Sequence, residues 1–144
     1  HADATEITRR LEAYHRPYHA AYAELAASDP AILAIHSFTP QLAGRPKRPR
    51  EIGILFAADS RPADPVIAPL HARGDLPIGI NEPYNGHLPG DSIDRHALRQ
   101  GRLNILIEVR NDLIKTPQDQ EAWAALLAPL LKLALAEVQP HPPS

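Results

Sequence analysis

Cysteine is missing from all 144 residues of this chain, which excludes disulfides and thiolate chemistry and fits a cytosolic setting. Methionine is missing too, and the chain starts at His1. A translated chain starts with Met, which is usually trimmed only before a small residue. The expectation is therefore a fragment, a processed product or an edited chain, with His1 a tag scar. No apolar run approaches the ~20 residues that cross a bilayer. The opening "HADATEITRR" lacks the pattern of a signal peptide. Charge is scarce in net terms: 15 Lys and Arg against 17 Asp and Glu leave −2. That balance gives no electrostatic case for nucleic acid or an acidic membrane as partner. There is no Gly-rich phosphate loop, no G-x-S-x-G elbow and no internal repeat.

What is present is a hydrophobic share of 44%, enough for a real core and one domain over residues 1–144. Proline is abundant, at 16 residues, and lies mostly between periodic segments. Residues 3–28 read as a helix, with Ile7, Leu11, Tyr14, Tyr18, Tyr22 and Leu25 on one face. Pro17 predicts a kink or a second start, and Asp29-Pro30 a stop. A short buried strand over 31–36 follows, then a basic, Pro-rich loop over 43–50. Further strands are expected at 51–57, 76–80 and 103–109. Helices are expected at 64–74, closed by Gly74, and at 92–101, capped by Ser92 and stopped by Gly101. The last helix, 116–138, has Thr116 as cap, Pro117 in first position and Asp119 echoing a capping box. Its core face is Trp123, Leu126, Leu127, Leu130 and Leu131, and the tail "QPHPPS" reads as frayed. Strands alternating with helices predict an α/β layered fold with a largely buried sheet.

In open α/β sheets, sites collect beyond the carboxyl ends of strands. His36 and Glu108 stand at such ends. His36 either caps a core strand or delivers a ligand or catalyst into a cleft. Glu108 is either an ion-pair partner of Arg110 or Arg102 or a functional carboxylate, because a buried carboxylate is costly unless paired, metal-bound or functional. The loop 81–87 adds Asn81, Glu82, Tyr84 and His87, either as a turn-rich surface loop or as site residues. The basic run Arg45, Lys47, Arg48 and Arg50 is either solvated or a grip for a substrate carboxylate. His15 and His19 have the i, i+4 spacing that can bind a metal, but no acidic third ligand accompanies them, so packing is the better reading. His71 and His96 read as helix-surface residues, and His141 lies in the tail. Arg110 shares a strand face with Glu108, where it can orient that carboxylate or bind one from substrate.

Taken together, "RPYHAAY", "IHSFTP", "IGILF", "NEPYNGHLPGDSIDRHA" and "ILIEVRNDL" resemble, in order, the C-terminal half of the N-formylglutamate amidohydrolase family. The resemblance covers roughly residues 6–131. It implies a three-layer α/β/α domain with a mixed, mostly parallel sheet, related to the zinc carboxypeptidases and incomplete at its N-terminus. It implies a zinc cofactor with His36 as a ligand, Glu108 as general base for the zinc-bound water, and Tyr84 as a residue that binds or polarises substrate. Arg110, Arg50 and Asn81 are the expected substrate-binding residues. The remaining zinc ligands are expected from an N-terminal segment that this chain does not contain. The expected partner is a small N-acyl amino acid, N-formyl-L-glutamate first, cleaved to formate and glutamate. Alternatives are another N-acyl amino acid or small peptide, or a non-catalytic binding module. The oligomeric state stays open.

Overall fold

Alternation along one strand sets the architecture. In β4 (Leu103–Arg110), Ile105, Ile107 and Val109 are buried against one helical layer. On the opposite face Asn104, Glu108 and Arg110 are buried and Leu106 half-buried. A strand covered on both faces belongs in the middle of three layers. This computed structural model describes residues 2–28 and 31–138. The expectations for His1, for the stop at Asp29-Pro30, and for the tail with His141 lie outside the described residues.

Strands β1 (Ala31–Phe38), β2 (Ile52–Leu55), β3 (Ile78–Ile80) and β4 form one sheet in the order β1-β4-β2-β3. β1 pairs with β4 and β2 with β3 in parallel, whereas β2 and β4 are antiparallel, so the sheet is mixed. Helices α3 (Asp64–Arg73) and α5 (Pro117–Val138) cover one face through Val66, Leu70, Leu127 and Ala134. The other face carries the end of α2 (Arg16–Leu25) and α4 (Ser92–His96), where Ala26, Ile32, Ile93 and Ala97 make a smaller core, and α1 (Ala4–Arg10) precedes α2 with no buried residue.

Pro17 acts as its chemistry demands. It has no N–H for the preceding turn, and its ring crowds that turn. The chain answers with a π-turn over Leu11–His15, in which the Arg16 N–H reaches back to the Leu11 carbonyl. The expected apolar face of this helix is not core, however. Ile7, Leu11, Tyr14, Tyr18 and Leu25 are exposed, Leu25 at 79%, because only the C-terminal end of α2, at Tyr22 and Ala26, meets the sheet layer.

β1 outruns its expected end at residue 36. β4 pairs with it residue for residue as far as Phe38, so His36 lies inside a strand. β2 and β3 are shorter than expected. Asp91, not Ser92, caps α4: its carboxylate accepts from the Asp94 N–H at 2.7 Å, while the Ser92 hydroxyl meets Tyr18 Oη at 3.0 Å. α4 stops at His96, and a 3-10 turn over Leu98–Gln100 leads to Gly101. The α5 capping box is complete, with Thr116 N–H donating to Asp119 and Asp119 N–H to Thr116 Oγ1, both at 3.1 Å. Replacing Thr116 with Ala is therefore expected to cost about 1 kcal/mol in urea denaturation. An unchanged midpoint would show that the cap carries no stability.

Candidate active site

Four residues sit in register across the whole sheet: His36 on β1, Glu108 on β4, Gly53 on β2 and Gly79 on β3. Cross-strand neighbours in register project to the same face. The row therefore offers an imidazole, a carboxyl and then two positions without side chains. His36 Nδ1 stands 3.8 Å from Glu108 Oε1. The two groups meet water differently, with the His36 side chain 59% exposed and that of Glu108 only 8%. Glu108 Oε2 is buried without a hydrogen-bond partner. Burial pushes the Glu108 carboxyl up from its ordinary value, opposed by the neighbouring His36 and Arg48.

The two glycines explain what lies on the rest of the row. A side chain at Gly53 would overlap the carbonyl oxygen of Glu82, and one at Gly79 would sit 2.8 Å from Glu82 Cβ. The loop after β3 thus lies directly on the sheet beside Glu108. Asn81 starts it with a left-handed backbone, φ 51°, which asparagine tolerates better than most residues. Its N–H donates to the Ile54 carbonyl and its Oδ1 accepts from the Phe56 N–H, each at 3.0 Å. Glu82 accepts from Arg50 Nε at 2.8 Å. Tyr84 Oη accepts from Arg48 Nη1 at 3.2 Å. The far end of the loop is fixed by buried Asp94, which accepts from the Gly90 N–H and from Arg99, each at 2.6 Å. Those bonds hold its carboxyl below the usual range.

The structure brings His36 and Glu108 together, with Arg48 and Tyr84 at the same end of the sheet. Arg110 is committed elsewhere. Its guanidinium donates to Asp112 at 2.7 Å and to the carbonyls of Arg48 and Arg50 at 3.2 Å, and lies 3.7 Å from Glu51. It fastens the segment 48–51 to β4, and its hydrogen bonds go to that segment and Asp112, not to Glu108. Arg50 is held by Glu82 and Lys47 by Asp112. Arg48 stands out from the basic run only in three dimensions. Its position in sequence, among other cations, carries no mark of its stacking on Phe38.

His96 corrects the surface reading. It is buried, because α4 faces α2: His19 Nδ1 and His96 Nε2 share a hydrogen bond of 2.8 Å, and Tyr22 stacks on His96. His15 packs edge-on to His19. Burial first, then the charged neighbours, hold His19 and His96 below the ordinary histidine value, and the cluster packs α2 against α4. His71 is exposed.

Among the described residues, no group of three His, Cys, Asp or Glu side chains could hold a metal ion. A catalytic zinc takes three protein ligands. His36 offers one nitrogen and Glu108 an acceptor without a partner, so the described residues on their own do not fit a zinc ion.

The family model for N-formylglutamate amidohydrolase matches residues 1–115, and the chain belongs to that family. A crystal structure of an Agrobacterium tumefaciens gene product is similar, with a TM-score of 0.80 and 36% identity over 95% of this chain. N-formylglutamate amidohydrolase from Ralstonia eutropha JMP134 shares the fold, with a TM-score of 0.63 and 21% identity over 92% of this chain. This chain spans only 56% and 54% of the lengths of those two structures. No curated protein matches it.

Two outcomes follow from this geometry. The folded state binds a proton at Glu108 more readily than the unfolded chain does, so ionising Glu108 removes stability as pH rises above its ordinary value of 4.5. Glu108→Gln is expected to raise Tm at pH 7 by a few degrees, since about 1 kcal/mol shifts a domain of this size by roughly 4 °C. The gain should fade below pH 4.5, and a lowered Tm at pH 7 would contradict the raised value. Gly53→Ala is expected to cost about 1–3 kcal/mol in urea denaturation, because the Glu82 carbonyl has to move. A wild-type midpoint would show that the loop does not rest on the sheet.

Proposed function

We propose that this chain carries the general base and the substrate-polarising group of a hydrolase that cleaves N-formyl-L-glutamate to formate and glutamate. One observation carries the reading. A carboxyl with a raised proton affinity and a partnerless oxygen stands in register with an exposed imidazole, in a chain of the N-formylglutamate amidohydrolase family. Structural carboxylates are paired when buried, and one with a partnerless oxygen suits a group whose partner arrives with the substrate.

In the proposed reaction, Glu108 takes a proton from a water as the water oxygen attacks the formyl carbon. The C–N bond then breaks, and Glu108 returns the proton to the leaving nitrogen. Water and amide become formate and amine with no other reactant. A base with a raised proton affinity suits both transfers better than an ordinary carboxylate, because it can also act as the acid. Tyr84 Oη already accepts a hydrogen bond from Arg48, so its own O–H is left to donate. Aimed at the carbonyl oxygen, that O–H would stabilise the charge developing there. The proposal includes a zinc ion with His36 as one ligand and the other ligands outside the described residues.

The test is formate release from N-formyl-L-glutamate by the protein that carries this chain. Glu108→Gln should lower kcat by about 10²–10⁴-fold, the usual worth of a positioned base, while leaving the fold intact. Turnover near the wild-type rate would remove Glu108 from the chemistry.

A further inference from the structure

We infer that Arg48 is the residue that reads a carboxylate of the substrate and so sets specificity for acidic N-acyl amino acids. The inference rests on the function proposed above. The sequence offers the whole basic run 45–50, Arg50 first, and Arg110 as the grip, and the cations of this region are sorted by their partners. Arg50 is paired with Glu82, Lys47 with Asp112, and Arg110 with Asp112 and Glu51. Among the described residues neither Arg45 nor Arg48 has a carboxylate within ion-pair distance; Arg45 is exposed, whereas Arg48 is half-buried and its charge is felt at Glu108.

Its guanidinium is held by other means. The carbon Cζ lies 5.5 Å from the Phe38 ring centroid and 5.2 Å from that of Tyr84. Nη1 donates to the Thr39 carbonyl at 3.1 Å and to Tyr84 Oη at 3.2 Å. Its own N–H and carbonyl are also fixed, by the Pro40 carbonyl at 2.8 Å and by Arg110 at 3.2 Å. A guanidinium carries five N–H donors in a planar fork. Packing against two rings and bonding through one nitrogen fix that plane while leaving donors for a bidentate ligand. Arg48 is half-buried, which strengthens a pairing with an anion relative to open solvent. The ligand it fits is a carboxylate whose amide end lies over Glu108.

N-formyl-L-glutamate has two carboxylates, and binding measurements on three ligands separate them. Calorimetry would use the full chain with Glu108→Gln, so that the ligand survives, against N-formyl-L-glutamate, its α-amide and its γ-amide. Adding Arg48→Gln should weaken N-formyl-L-glutamate roughly tenfold or more. It should weaken equally the one mono-amide that keeps the carboxylate being read, and leave the other unchanged. Arg48→Lys keeps the charge but not the fork. It should show a smaller loss confined to the same two ligands, and it decides the matter if the Gln variant does not fold. Equal losses for all three ligands would mean that Arg48 only holds Tyr84, and no loss would mean that it holds nothing; either result overturns the inference alone. If the chain binds none of the three before Arg48 is changed, the proposed function falls with it.

Discussion

The pairing of β1 with β4 in parallel register is the constraint on which the site depends. It places His36 opposite Glu108 and carries the row on through Gly53 to Gly79. A slip by one residue would turn His36 to the face covered by α3 and α5 and leave Glu108 facing a different neighbour. The register is held by burial on both faces. Ile105, Ile107 and Val109 are packed into the larger core, and Ile32 is packed into the smaller one. The geometry of the two side chains is thus a by-product of hydrophobic packing several residues away, and that packing makes it rigid.

Around this row the chain spends its charges in two ways. Most are paired and structural: Arg110 with Asp112, Asp94 with Arg99, Arg50 with Glu82. These pairs fasten the segment 48–51 and both ends of the loop 81–91, the irregular segments that approach the row. Glu108 and Arg48 are the contrast. One is a buried carboxyl with an idle oxygen, and the other a cation stacked on rings. Leaving the buried Glu108 oxygen without a partner costs stability. A fold tolerates that cost where the compensation is supplied by a ligand.

The long exposed face of α1 and α2 shows a different limit. Its i, i+3, i+4 pattern is that of a helix that buries one side, and the helix forms as that pattern requires. Periodicity reports that a face is apolar. It does not report what covers it. Here the layer beneath α2 meets only the end of the helix. The same reasoning accounts for His96, whose helical position looks exposed until α2 is laid beside it.

The sequence by itself determined the element types, because hydrophobic period, prolines and caps act over a few residues: the strand runs, the Gly74 stop and the Thr116–Asp119 box are all local chemistry. It also marked His36, Glu108 and Tyr84, through motifs whose order resembles a known family. Only the tertiary structure decided which of several cations does what. Arg48, Arg50 and Arg110 are equivalent as letters. Their separation into a stacked, a paired and a buried guanidinium comes from partners that are distant in sequence, at Phe38, Glu82, Tyr84 and Asp112. Strand order and register brought those partners together, and both arise from packing over the whole chain rather than from any local pattern.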